Sequence, residues 1–490
     1  MAKSIKINAL FKTLMSIVNI IFPLLTIPYV ARILSMDGYT EYNKSVSMVT
    51  WFTPFAEFGV YTYGMRTVSQ LKNNIKAVSR LFTHLFSFSF ITSCIVTCIY
   101  LLLVLLMPSF QSYRLMYIFA SAQIFFVFFA TDWLNEAYEN YGFILIKTFF
   151  CRIIYIVAVF IFVKKSDDVL IYVFLTSFSF LLNNILTFLY AKRKIPFSSF
   201  SIKEEVILVK PLCIIFLLVN SSMLYTIFDR FILTWFSDKL FLTYYNMSQT
   251  IVIAVINVTS SVLLVSIPRL SYLWANEKKQ DYYNLLKKTS DTFMCLHTPC
   301  CIGLACVAYE VIYFYSGIKY IQAYTVLLLF SLRYYISAFD MILAKQVLLA
   351  TGNEKVLTKI YYIGGIFNVI AKIVLIIIKR LTPELCILTT AMVDILVIVL
   401  QLLNIKRLKI QFSIFSKKKL KYFITGLLFV PIILCLRLIL PTDEIKLIVL
   451  RTIMSVLICT IVYLTMLLLT KDDFLMSLFR RKNNEKELHC

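Results

Sequence analysis

Apolar residues in this chain come in long unbroken runs parted by short polar clusters. They show neither the two-residue alternation of strands nor the one-sided stripe of a soluble helix. Runs long enough to cross a bilayer, about 20 residues each, occur at 9–34, 44–63, 81–107, 114–133, 143–163, 169–190, 207–235, 241–267, 292–316, 322–349, 359–378, 385–404, 421–439 and 447–470. The pattern predicts an all-α membrane protein with about 14 transmembrane helices. The first run follows Lys3 and Lys6, but it is too long for a signal-peptide core and has no small-residue cleavage site, so it is expected to stay as a span.

The polar clusters orient these spans. With the N-terminus placed in the cytoplasm, 33 Lys and Arg fall on inside segments and 12 on outside loops. This bias predicts both termini in the cytoplasm of a multi-pass protein of a bacterial inner membrane. Outside loops are about ten residues or shorter, whereas inside loops such as 268–291 and 405–420 are longer.

Composition sharpens the class. Hydrophobic residues make up 60% and charged residues 15%, against roughly 45–50% and 25% in soluble domains, so no soluble core could be covered. There are 10 Gly and no GxGxxG or GxxxxGK[ST] run, which argues against a nucleotide-binding fold or P-loop ATPase. The net charge of +23 reads as topology signal and attraction to anionic membrane lipids, so no nucleic-acid partner is expected. The three histidines, His84, His297 and His489, are scattered, and the cysteines sit in apolar runs. No metal or other cofactor is expected. The short outside loops leave no room for the large loop or carboxylate pair of a membrane glycosyltransferase or polymerase, so a transporter is favoured over an enzyme.

The chain also repeats itself. At an offset of 203, Tyr42-Asn43-Lys44-Ser45 recurs as Tyr245-Asn246-Met247-Ser248, and Arg66 as Arg269; Arg32-Ile33-Leu34 with Asp37 recurs near Arg230-Phe231-Ile232-Leu233 with Asp238. Six spans separate the copies, so they point the same way across the membrane, as in two-lobed rocking transporters. The expected division is an N-lobe at 1–191 with spans 1–6, a cytoplasmic linker at 192–206 and a C-lobe at 207–405 with spans 7–12. Two further spans follow at 406–470, then a charged tail at 471–490.

Several motifs at span ends carry a family resemblance. They are Pro28-Tyr29-x-x-Arg32-x-Leu34, Phe58-Gly59-Val60-Tyr61 with Tyr63-Gly64-Met65-Arg66, Trp133-Leu134 with Glu139, Asp229-Arg230-Phe231-Ile232-Leu233, Tyr245-Asn246, Pro268-Arg269-Leu270-Ser271 and Thr351-Gly352-Asn353-Glu354-Lys355. Over residues 8–405 the chain resembles the Wzx-type flippases of lipid-linked oligosaccharides, in the superfamily that also holds multidrug antiporters and the lipid II flippase. One departure is Ser35, where that family often has Gly. The resemblance implies two six-helix lobes and export of an undecaprenyl-pyrophosphate-linked sugar unit for O-antigen, capsule or a similar surface polysaccharide. It further implies alternating access driven by H+ or Na+, with a polysaccharide polymerase and chain-length machinery as partners.

Charges inside spans should report what is moved, since each costs about 2.5–3.5 kcal/mol on insertion scales. Arg152, Arg333, Lys372 and Asp394 fall near mid-membrane, Glu57 and Asp340 nearer the cytoplasm and Glu310 towards the outside. Lys372 and Asp394 are placed to pair across a short loop. Arg333 and Asp340, seven apart, would line one cavity. Arg152 has only Lys147 nearby on its own helix; it either binds a pyrophosphate with its planar fork or reaches Asp132 or another helix. Arg32, Arg66, Arg230 and Arg269 sit at span ends as interfacial anchors or gates. Phosphate or cavity contacts are therefore expected from Arg152, Arg333, Lys372, Arg32, Arg66, Arg230 and Arg269, and ion coupling from Glu57, Asp340 or Asp394. The competing transporter reading, a multidrug cation antiporter, would need a mainly acidic cavity. A passive scaffold would have all its buried charges mutually paired.

The charge bias makes a direct prediction. In a cysteine-free background, single cysteines at positions 200, 280 and 412 label from the inside and those at 165 and 442 from the outside; outside labelling at 280 would overturn the topology and the repeat together.

Overall fold

The computed structural model describes residues 5–71, 73–221, 223–440, 445–472 and 476. Position 442 and most of the tail at 471–490 lie outside the described residues, as do Lys3 and Lys72. Among the described residues every regular element is a helix.

Each apolar run is helical, but the runs are not all single straight spans. Among the described residues ten helices are long and apolar enough to cross a membrane, or eleven if the pair Lys279–Cys306 and Ala308–Ser316, bent by 74°, counts as one. The fourteen-span expectation is therefore not reached on length and composition. The shortfall lies at 9–34, 44–63 and 207–235. The run at 44–63 breaks where Met36–Glu57 ends and Val60–Leu71 begins. Phe58 and Gly59 both take positive φ, 44° and 79°, and the Phe58 N–H bonds to the Pro54 carbonyl. Gly59 is required here on two counts. The left-handed backbone disfavours a side chain, and a Cβ would stand 2.9 Å from the Phe216 backbone nitrogen. The run at 207–235 is divided into Ile202–Val219, Met223–Thr226 and Phe228–Phe236.

Ser35, the departure from the family pattern, has a local use. Its hydroxyl accepts the Gly38 N–H at 3.1 Å and so caps the first turn of Met36–Glu57. Its own N–H donates to the Ser166 carbonyl.

The chain forms two compact units, one of residues 1–246 with 368–382 and the other of 247–367 with 383–490. This differs from lobes at 1–191 and 207–405, because 207–246 and 368–382 go with the first unit. Two polar clusters account for it. Lys372 Nζ lies 3.3 Å from Asp229 Oδ1, both fully buried. The repeat also meets itself: Thr243 Oγ1 donates to Thr40 Oγ1 at 3.2 Å, and Asn246 Nδ2 donates to Ser47 Oγ at 3.0 Å and to the Asn43 carbonyl at 3.4 Å. Thr40 with Thr243 and Asn43 with Asn246 are each 203 positions apart, the repeat offset itself.

In the second unit the final two expected spans are integral. Tyr422, Phe429, Cys459 and Tyr463 pack with Phe293, Met294 and Ile302 of helix Lys279–Cys306. Glu310, just past the bend, takes Arg437 at 2.9 Å and Arg451 at 3.2 Å. Arg437 also donates to the Cys306 carbonyl at 2.9 Å, where the bend leaves helix carbonyls without intrahelical donors. These ties explain why the two spans stay in register with the bend.

Packing at glycine separates two substitutions of equal chemistry. A Cβ on Gly64 would lie 2.6 Å from Trp133 Cε3, whereas one on Gly303 would meet nothing nearer than Phe429 at 3.8 Å. Gly64→Ala is expected to destabilise by about 1–3 kcal/mol through overpacking. Gly303→Ala should be neutral or stabilising by up to about 1 kcal/mol. Thermal melting of the purified protein in detergent checks both; equal melting of the two variants would contradict the packing of Gly64 on Trp133.

Candidate functional site: a polar cavity around Arg152

Helix Tyr141–Phe162 carries Thr148, Arg152 and Tyr155 at three- and four-residue spacing, which places them along one face. That face opens on a cavity of about 400 Å³ within the first unit. Its other walls come from Ile5–Ile33, Met36–Glu57 and Val169–Lys194, with Asp132 and Glu136 at one side. Tyr42, Tyr61, Tyr155 and Tyr172 line it, and the Tyr42 and Tyr172 rings lie 4.6 Å apart. Gln123, Thr148 and Asn183 add neutral hydrogen-bonding groups.

The charges in this cavity are unequal in their freedom. Asp132 is engaged: Lys147 Nζ lies 3.0 Å from both carboxylate oxygens, and Thr187 Oγ1 donates to Oδ1 at 3.0 Å. Lys147 also bonds Thr187. The alternative in which Arg152 reaches Asp132 is therefore corrected, because Lys147, one turn earlier on the same helix, takes that carboxylate. Among the described residues Arg152 makes no ion pair or hydrogen bond, and it lines the cavity half-buried. Glu136 is the other lining charge without an ion pair among the described residues.

The remaining residues expected to contact phosphate are elsewhere. The Lys372–Asp394 pairing is not formed. Lys372 is on Asp229, which also accepts from Tyr245 Oη at 3.0 Å and Asn368 Nδ2 at 3.3 Å. Asp394 instead accepts Arg333 Nε at 2.9 Å and Ser337 Oγ at 2.7 Å, all buried in the second unit. The physical reason is partner choice: Lys372 and Asp394 each take a counter-charge on another helix of their own unit. Arg32, Arg66 and Arg269 are exposed and Arg230 is half-buried. Arg269 lies over the Tyr272 ring at 5.6 Å.

Of the coupling candidates, Asp394 is held by Arg333. Asp340 is buried and accepts the Gln401 amide at 2.6 Å and the Tyr361 hydroxyl at 3.3 Å, both uncharged donors. Arg333 and Asp340 thus serve separate hydrogen-bond clusters rather than one shared contact. Glu57 is half-buried at the end of its helix.

Sequence reasoning underrated three polar groups. Asp229 reads as a neighbour of Arg230, yet it is the buried partner of Lys372. Glu41 is buried and accepts Tyr117 Oη at 2.6 Å, with Lys44 at 3.9 Å and Lys239 at 3.7 Å. Lys147 counts in sequence only as an inside charge. No spacing rule links Asp229 to Lys372 across 143 residues.

Comparison with known proteins agrees with this architecture. A family model described as "Polysaccharide biosynthesis protein" matches residues 5–274. A Shigella dysenteriae protein named "Putative O-antigen transporter" is 21% identical over 371 residues, covering 74% of this chain and 91% of that one. Among solved structures, one described as the lipid II flippase MurJ in an inward closed conformation superposes with a TM-score of 0.75. It shares 16% identity and covers 96% of this chain and 99% of its own. An inward-facing multidrug resistance MATE family transporter of the MOP superfamily gives a TM-score of 0.56 at 11% identity, covering 81% of this chain and 100% of that one. These structural likenesses establish the fold alone, a multi-pass helical membrane fold. With more than half its length matched by the family model, the chain belongs to the polysaccharide biosynthesis protein family.

Proposed function

We propose that the chain is a flippase that carries an undecaprenyl-pyrophosphate-linked oligosaccharide across the bacterial cytoplasmic membrane for assembly of O-antigen, capsule or a related surface polysaccharide. Both termini face the cytoplasm, and alternating access is coupled to H+ or Na+. The observation that carries this reading is Arg152, a guanidinium directed into a tyrosine-lined cavity with no ion pair among the described residues. A charge there, in a low-dielectric setting, is stabilised by an anion, and a guanidinium matches two phosphate oxygens at once. A cavity of about 400 Å³ is in the range of a drug-sized ligand. It therefore takes the pyrophosphate and the adjoining sugar, not the whole lipid. Gln123, Asn183 and Glu136 supply acceptors and donors for sugar hydroxyls, and the tyrosine rings supply apolar faces.

For coupling, Asp340 is the stronger candidate of the second unit. Its hydrogen-bond partners are neutral, whereas Asp394 is committed to Arg333. Glu57 is the candidate of the first unit. The family relative's name and the flippase fold support the substrate class. The second reading, cation antiport, draws on Glu136 in the same cavity, but Asp132 is already neutralised by Lys147.

The Arg152 series tests the reading. Arg152→Ala should leave the amount of folded protein in the membrane unchanged, because Asp132 keeps Lys147. It should weaken binding of the lipid-linked pyrophosphate sugar by roughly 10- to 150-fold, the loss of a charge-assisted contact of about 1.5–3 kcal/mol. Lys should rescue in part and Gln not at all, since Lys keeps the charge without the planar fork. Undiminished binding in well-expressed Arg152→Ala would remove the phosphate role.

A further inference from the structure

The segment after helix Val169–Lys194 runs as a strap along helix Ile75–Leu106. Ser79 Oγ donates to the Pro196 carbonyl, and the Ser198 N–H donates to Thr83 Oγ1 at 2.8 Å. Phe197 stacks on Phe82 with ring centroids 5.1 Å apart, and Phe200 lies 5.5 Å from the His84 ring. The strap ends in helix Ile202–Val219, whose first turn carries Glu204 and Glu205.

Both glutamates reach His84, which is 2% exposed. Nδ1 is in a hydrogen bond with Glu205 Oε2 at 3.0 Å. Nε2 lies 2.9 Å from Glu204 Oε2, off the line of a straight hydrogen bond. The other charges around the ring are few. Arg80, one turn earlier on the same helix, is 3.6 Å from Glu204 Oε1. Lys76 lines the same opening, and Lys192 lies over Phe197 at 5.5 Å. Helix Val60–Leu71 and helix Asp132–Ala137 bring Val60, Val68, Trp133, Leu134 and Ala137 to the adjoining core, with Tyr61, Tyr63, Met65 and Leu71 packed against it.

A neutral imidazole has one N–H and one lone pair, whereas its protonated form has two donors. Set between two carboxylates, a neutral ring would turn a lone pair on one of them at about hydrogen-bond distance. The protonated ring attracts both. An opening of about 740 Å³, lined by His84, Glu204 and Pro196–Ser198, connects this cluster to water. We propose that His84, Glu204 and Glu205 form a proton-binding site whose occupancy holds the strap, and with it the start of helix Ile202–Val219, against helix Ile75–Leu106. Loss of the proton to water leaves one ring N–H for two carboxylates, and the strap loosens. The site is separate from the Arg152 cavity and stands whether or not the substrate reading holds.

Hydrogen exchange of the full-length protein in lipid nanodiscs, corrected for the intrinsic rate at each pH, reads the strap directly. In the wild type, protection over residues 196–205 is expected to fall roughly ten-fold or more between a low and a high pH, in proportion to the loss of a charge-assisted contact. In His84→Asn, protection should be low at both values. In Glu205→Gln, which keeps the shape of the cluster and guards against a misfolded histidine variant, the pH dependence should shrink while helix Ile75–Leu106 stays protected. A wild type whose strap protection does not change with pH overturns the proposal, as does either variant retaining the full wild-type dependence.

Discussion

The structure depends on one constraint: an ion removed from water in a hydrocarbon setting must find a counter-ion or remain facing a polar cavity. Within the two units four buried clusters obey it through ion pairs, while Asp340 is met by neutral donors instead. Lys372 meets Asp229, Lys147 meets Asp132, Arg333 meets Asp394, and Glu310 is flanked by Arg437 and Arg451. These pairs join segments far apart in the chain and so act as registration marks between helices whose apolar faces alone would slide. Truncating one member of such a pair leaves the other uncompensated, so these residues carry structural roles even where their mid-membrane position suggests transport chemistry. Arg152 differs because its helix turns it into a cavity, and its nearest candidate acid is held by Lys147.

The same constraint shapes the broken helices. A break exposes backbone carbonyls and N–H groups that need partners where water is scarce. At Phe58-Gly59 the left-handed corner keeps the Phe58 N–H on Pro54, and the missing glycine side chain admits the backbone of helix Ile202–Val219. At the 74° bend after Cys306, Arg437 supplies a side-chain donor. Thus one of these turns falls at a span-end motif of the sequence, Phe58-Gly59, and at both the freed polar groups find partners again.

Much of this was legible in the sequence. The apolar runs located the helices because hydrophobic length is a strong local signal, and the 203-residue repeat was real enough that Thr40 meets Thr243 and Asn43 meets Asn246. Arg152 stood out for want of an acid on its own helix, and the structure keeps it in a cavity. The breaks within 44–63 and 207–235 were not legible, because a corner built on one glycine and a left-handed phenylalanine does not interrupt hydropathy. The partner of Lys372 was misassigned for a related reason. Sequence proximity suggested Asp394 for Lys372, whereas pairing is decided by which helices pack within a unit. The His84 cluster was invisible for the same cause, since its two glutamates lie some 120 residues away.

The central claim is that this chain moves an anionic lipid-linked sugar, and transport by the purified protein tests it most directly. Proteoliposomes would carry a fluorescent pyrophosphate-linked oligosaccharide on a polyprenyl chain, with an impermeant reagent reporting which leaflet holds the sugar. The account predicts protein-dependent exchange between leaflets that is fast relative to empty liposomes and slowed when Arg152 is replaced by Ala. Exchange no faster than in empty liposomes, alongside gradient-driven uptake of an organic cation by the same vesicles, would contradict it.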